Sequence, residues 1–115
     1  MEIEKYLNYN FRFSWKNTKE YLEFQTELIK HLKSVFKQNS ITILKLNKNT
    51  FSFTMFLKAN DKIIYLSIPD VRYYKNGWFN NILIRLTNSE DDYIGKDNHY
   101  TSLDKIIENI YKLIN

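Results

Sequence analysis

Three runs rich in β-branched and aromatic residues, Ile41 to Leu46, Phe51 to Lys58 and Ile63 to Ile68, follow one another closely. Only Asn47-Lys48-Asn49-Thr50 and Ala59-Asn60-Asp61-Lys62 separate them. The separators consist of turn-favouring residues and the runs have strand composition, so residues 41–68 read as a β-meander. At the strand period of two, Phe51, Phe53, Met55 and Leu57 point inward together. Pro69-Asp70 then interrupts the sheet, because proline has no amide hydrogen for the ladder.

The flanks supply helices and further strands. Residues 7 to 15 alternate apolar and polar without a break from Leu7 to Trp15, the pattern of a half-buried strand. Asn17 with Glu20 three residues on forms a capping box, opening a helix that runs to about Gln38. At 100° per residue Leu22, Gln25, Leu28, Ile29, Leu32, Val35 and Phe36 share one arc of it, with Phe24 at the edge. Val71 to Tyr74 and Ile82 to Thr87 read as a further strand pair, joined through Asn76-Gly77 with a bulge near Trp78 to Asn81. Ile82, Ile84 and Leu86 share one face of the second strand, and Leu83 and Arg85 the other. Thr101 with Asp104 caps a second helix, striped by Leu103, Ile106, Ile107, Ile110, Leu113 and Ile114. The expected fold is a single α+β domain over residues 1–115, a mostly antiparallel sheet of four to six strands with two helices. Its element order is β-α-β-β-β-(β)-β-α, both helices covering one face. The second face is then either an interaction surface or a seam between two copies of the chain.

Composition narrows the function classes. With 115 residues the chain holds one core, and with no cysteine it has neither a disulfide framework nor a thiol nucleophile. It shows no secretory signal pattern and no apolar run long enough to span a bilayer, which is expected of a soluble cytoplasmic protein. Asn, Ile and Lys each occur 14 times, a bias that an AT-rich genome produces by itself. The formal net charge is +4, and no acidic residue occurs between Glu27 and Asp61. That interval carries Lys30, Lys33, Lys37, Lys45, Lys48 and Lys58, a field able to attract phosphates and so a candidate nucleic-acid surface.

Catalytic patterns are scarce. Glu90, Asp91, Asp92 and Asp97 crowd into eight residues but lack the alternation and glycine of an EF-hand loop, so they read as a solvated acidic turn with no metal or cofactor. Pro69-Asp70 matches half of a nuclease pattern, whose second carboxylate and lysine are replaced by Ile84-Arg85-Leu86. His31 and His99 have no local nucleophile or orienting carboxylate, and the two glycines, Gly77 and Gly95, cannot make a phosphate-cradling loop. Binding remains. Tyr73, Tyr74, Trp78 and Phe79 around a tight turn, with Arg72 beside them, are the residue types that concentrate binding energy at protein interfaces. The acidic loop Glu90, Asp91, Asp92 and Tyr93 extends that candidate site. Arg85 in mid-strand requires a partner if buried, from Glu90, Asp91 or Asp92, or else faces solvent on the open side of the sheet.

Asp70-Val71-Arg72-Tyr73-Tyr74, Trp78-Phe79-Asn80-Asn81-Ile82-Leu83-Ile84-Arg85 and Asp92-Tyr93-Ile94-Gly95-Lys96-Asp97-Asn98 together resemble small accessory proteins of phages and mobile elements of low-GC bacteria. The resemblance implies a non-enzymatic, anti-CRISPR-like inhibitor that occupies a defence nuclease's nucleic-acid or protein-binding surface. A nucleic-acid-binding accessory protein acting through the lysine-rich segment is the alternative.

Overall fold

The computed structural model describes residues 18–71 and 77–115. The strand expected over residues 7 to 15 and most of the one over residues 71 to 74 lie outside them. The described elements run α1 (Thr18–Gln38), β1 (Ile41–Lys48), β2 (Phe53–Ala59), β3 (Lys62–Ile68), β4 (Ile82–Thr87), β5 (His99–Thr101) and α2 (Ile106–Ile114), with a short 3-10 turn at Trp78–Asn80. The fold class is α+β. All five strands pair antiparallel in their sequence order, β1-β2-β3-β4-β5. Among the described residues no helix is long and apolar enough to cross a membrane.

The meander forms as its spacers require. Asn60, at a φ of 54°, takes the left-handed conformation that asparagine tolerates and turns β2 into β3 with Ala59 opposite Lys62. Ser40 does the same at a φ of 60° just past α1, where Asn39 N–H donates to Phe36 O and Asn39 Nδ2 to Val35 O. α1 carries Glu20 in its first turn and Lys37 in its last, the charge order a helix dipole favours.

Both helices pack on one sheet face and bury a single core. α1 contributes Tyr21, Phe24, Leu28, Ile29, Leu32 and Phe36, α2 contributes Ile106 and Ile110, and the strands contribute Ile41, Phe53, Met55, Leu57, Ile64, Leu66, Ile82 and Ile84. The buried arc of α1 is rotated from the one its periodicity predicts. Tyr21 goes in, edge-on to Phe51 at 4.7 Å, and Leu22 stays 46% exposed. Gln25 is buried at the hairpin end of the helix, its Nε2 donating to Asn49 O (2.6 Å) and Ser52 O (3.1 Å). Gln25→Leu removes the donor from both carbonyls and is expected to lower unfolding free energy by about 1–3 kcal/mol in urea titrations. Tyr111 of α2 donates its hydroxyl to Asn39 O at 2.6 Å, fastening the second helix to the end of the first.

The remaining expectations change around β4. Both of its edges are taken, by β3 and by β5, so the strand partner expected across Asn76-Gly77 is replaced by a three-residue strand that sequence periodicity does not reveal. Where a bulge was expected, Trp78–Asn80 forms the 3-10 turn; the register shift of the sheet lies instead between Ile43 and Lys45 in β1. Thr101 closes β5 and does not cap α2: its Oγ1 donates to Ser102 O and accepts from Asn109 Nδ2 at 2.7 Å.

Candidate functional site

The second face of the sheet is built in cross-strand rows. Lys45 pairs with Phe56, Phe56 with Tyr65 and Tyr65 with Arg85, so two cations flank two aromatic rings across four strands. The bulge in β1 makes this possible. Ile41 and Ile43 face the core, and the shifted register sends Lys45 to the second face and Leu46 back to the core. Arg85 lays its guanidinium over the Tyr65 ring, 4.6 Å from the centroid, and donates from Nη1 to Asn98 Oδ1 at 3.0 Å. Of the two expectations for this arginine, the second face is the one it occupies, half-buried there, with a ring and an amide as its near partners and the Asp92 carboxylate acting on it only as a lesser charge.

Residues 88–98, the connection from β4 to β5, fold back over this row as a strap. Asp92 is its internal fastener, accepting Asn88 N–H at Oδ2 (3.0 Å) and Gly95 N–H at Oδ1 (2.9 Å). Those amide hydrogen bonds, with the Arg85 charge adding a lesser pull, hold the Asp92 carboxyl below its ordinary range. Thr87 Oγ1 and Asp92 N–H both donate to Ser89 O, closing the acidic turn, and Lys96 N–H donates to Leu86 O at 2.8 Å. Gly95, at a φ of 60°, lies against the β4 backbone. Tyr93 then comes down edge-on to Phe56 (5.1 Å) and Tyr65 (5.9 Å), accepting a hydrogen bond from Asn47 Nδ2. This ring explains why Phe56 is fully buried on the face opposite the helices.

Magnitudes decide what holds the strap. Each aromatic contact is worth about 0.5–1.5 kcal/mol beyond area burial. The ion pair from Lys45 Nζ to Asp91 Oδ1 (3.2 Å) is solvent-exposed and weak by comparison. It does raise the Lys45 pKa, chiefly through the hydrogen bond to Asp91 and then that to Tyr93. Tyr93 and Asp92 therefore seat the loop, while Glu90 and Asp91 lie at the surface, Asp91 in its weak pair with Lys45.

With this geometry the expected site residues divide. Arg72, Tyr73 and Tyr74 lie outside the described residues. Trp78 is corrected from surface anchor to core: it is 1% exposed, edge-on to Phe24 at 4.8 Å, because the 3-10 turn points it under α1. Phe79 is half-buried against it. Glu90 and Asp91 are exposed, Asp92 is half-buried in its own loop, and Tyr93 keeps 46% of its surface in water. Periodicity alone did not single out Ile94, 84% exposed at the strap's crest, or Tyr100, 62% exposed. Leu83 pairs with Tyr100, which places Tyr100 on the strap's face of the sheet. A signal for the covered face was present in Phe56 and Tyr65, large aromatics out of phase with the core-facing residues of their strands.

Comparisons with family models, curated proteins and solved structures returned no match for the chain.

The six lysines of the acid-free interval also divide, by sheet face. Lys30, Lys33 and Lys48 line one concavity beside α1 and β1, and Lys33 and Lys37 line the next along the same groove. Lys45 and Lys58 lie on the opposite face, Lys58 in register between Thr42 and Ile63. Among the described residues, Glu90, Asp91, Asp92 and Asp97 do not converge into a group that could hold a metal ion.

Proposed function

We propose that this chain is a non-enzymatic protein-binding domain whose contact surface is the crest of the strap, Glu90, Asp91, Tyr93 and Ile94. Ile94 carries the reading: a large aliphatic side chain 84% in water, on a loop already held by Asp92, Tyr93 and Lys96. Burying such a side chain against a partner is worth about 1.5–3 kcal/mol, and a pre-ordered loop adds little ordering entropy to oppose it. The carboxylates beside it favour a partner with a cationic surface. In the form implied by the resemblance to mobile-element accessory proteins, that partner is a defence nuclease, inhibited because the crest occupies its positively charged groove.

The test is capture of a partner from nuclease-treated bacterial lysate, identified by mass spectrometry and then measured with purified components. Ile94→Asp and the pair Glu90→Lys with Asp91→Lys are each expected to weaken that complex by about tenfold or more with an unchanged melting temperature. Wild-type affinity in both variants would refute the assignment.

A second reading draws on the groove between α1 and β1, where Lys30, Lys33, Lys37 and Lys48 adjoin. There a nucleic-acid backbone would meet four cations in place of the six in the sequence interval. Binding would then fall with salt at a log-log slope of roughly 0.9 per neutralised phosphate. A flat salt response excludes it.

A further inference from the structure

α2 is nine residues long, and a concavity opens beside it. Between its C-terminal half and the β4–β5 corner lies a groove of about 620 Å³, within the size range of small-ligand sites. Its floor is aliphatic: Ile84 at the bottom, with Leu86 and Leu113 half-buried along the sides. Three basic side chains stand at its rim, Lys96 from the end of the strap, His99 from β5 and Lys112 from α2. The fold places each of them. Lys96 is set by its own N–H on Leu86 O, and His99 by pairing with Ile84, which turns it to the helix face. Lys112 comes from the outward side of α2, where its contact with Glu108 is a 3.7 Å pair between exposed groups and competes weakly for it. Asp97 is the one carboxylate in the lining, so the rim stays net positive.

An apolar trough with a cationic rim has a definite complement. We propose that this groove binds a small amphipathic carboxylate, its apolar body on Ile84, Leu86 and Leu113 and its carboxylate held by Lys96, His99 and Lys112. The apolar body supplies most of the affinity by leaving water, and the charges orient the acid and select it over neutral analogues. A bare phosphate would leave the floor unused. The site stands at the β4–β5 corner beside α2, away from the strap crest, and does not depend on the function proposed for that crest.

Octanoate, 1-octanol and octylamine, titrated into the full chain and followed by amide chemical shifts, test the proposal. Octanoate is expected to bind saturably with a Kd of about 1 mM or tighter, shifting amides of residues 84–86, 96–100 and 109–113, with the alcohol and the amine at least about tenfold weaker. Leu113→Glu places a carboxylate in the trough and should abolish the shifts. Lys96→Glu with Lys112→Glu, both on exposed side chains, should weaken octanoate by about tenfold while leaving octanol unchanged. Three results would each overturn the proposal: no saturable shift up to about 5 mM, equal binding of octanol, or shifts mapping elsewhere.

Discussion

Trp78→Ala is expected to cost about 3–5 kcal/mol of folding free energy, the range for removing a buried large aromatic side chain. For a domain of this size that is a large share of a total stability near 5–15 kcal/mol. The indole is 1% exposed and meets Phe24 at 4.8 Å and Phe79 at 5.8 Å, so truncation leaves a cavity under α1 that its surroundings fill only in part. The same turn offers Phe79 O to Leu103 N–H at 2.7 Å, which ties the approach to α2 into the damage. Urea unfolding followed by far-UV circular dichroism reads the effect directly. A surface anchor would behave in the opposite way, with unchanged stability and lost partner binding, so a midpoint equal to that of the wild type would remove Trp78 from the core.

Gly95→Ala acts on the other side of the sheet. A Cβ built on Gly95 falls 2.6 Å from Leu86 O and 3.0 Å from Thr87 Cγ2, and its φ of 60° is one that side-chain-bearing residues adopt at a cost of roughly 1–2 kcal/mol. Contact and conformation together set the expected loss at about 2 kcal/mol or more, limited by the energy with which the strap is seated. The chain therefore meets the substitution by releasing residues 88–98 and leaving the remainder folded. Amide exchange at Lys96 should accelerate strongly, with Phe56 and Tyr65 newly accessible to an apolar dye, while the unfolding of α1 changes little. Slow exchange at Lys96 in the variant would mean that the strap is not held at this contact.

Most of the scaffold is legible in the sequence because it rests on strong local periodicity. The three-strand meander, α1 to Gln38 and the apolar stripe of α2 all follow from spacing. What escapes is set by contacts distant in sequence. The buried arc of α1 is turned toward Tyr21 because Phe51 waits there, which no helical projection contains. β5 is three residues of mixed polarity that become a strand only because β4 offers an open edge. Thr101 has the chemistry of a helix cap, yet Asn109 claims its hydroxyl. The candidate site was half visible: Glu90 to Tyr93 stood out by charge, whereas the division of labour between Asp92, which fastens, and Asp91, which faces water, depends on where the amides of Asn88 and Gly95 point. Trp78 was misplaced because an aromatic next to a turn looks solvent-facing until the turn proves to be a 3-10 helix. The lysines form one group along the chain and two groups in space, because α1 lies on one face of the sheet and Lys45 is sent to the other by the bulge.

The strap touches four strands in turn: β4 through the Leu86 carbonyl, β3 and β2 through the Tyr93 ring on Tyr65 and Phe56, and β1 through Asn47, with the weak Lys45–Asp91 pair beside it. The loop therefore lies across β4, β3, β2 and β1 like a tie rod across an arch. A force applied at Ile94 would be shared between the loop's own ends and the strands that Tyr93 and Asn47 reach. Anything bound at the crest would thus be joined to four of the five described strands at once, and a shift among those strands would be felt in return at the crest.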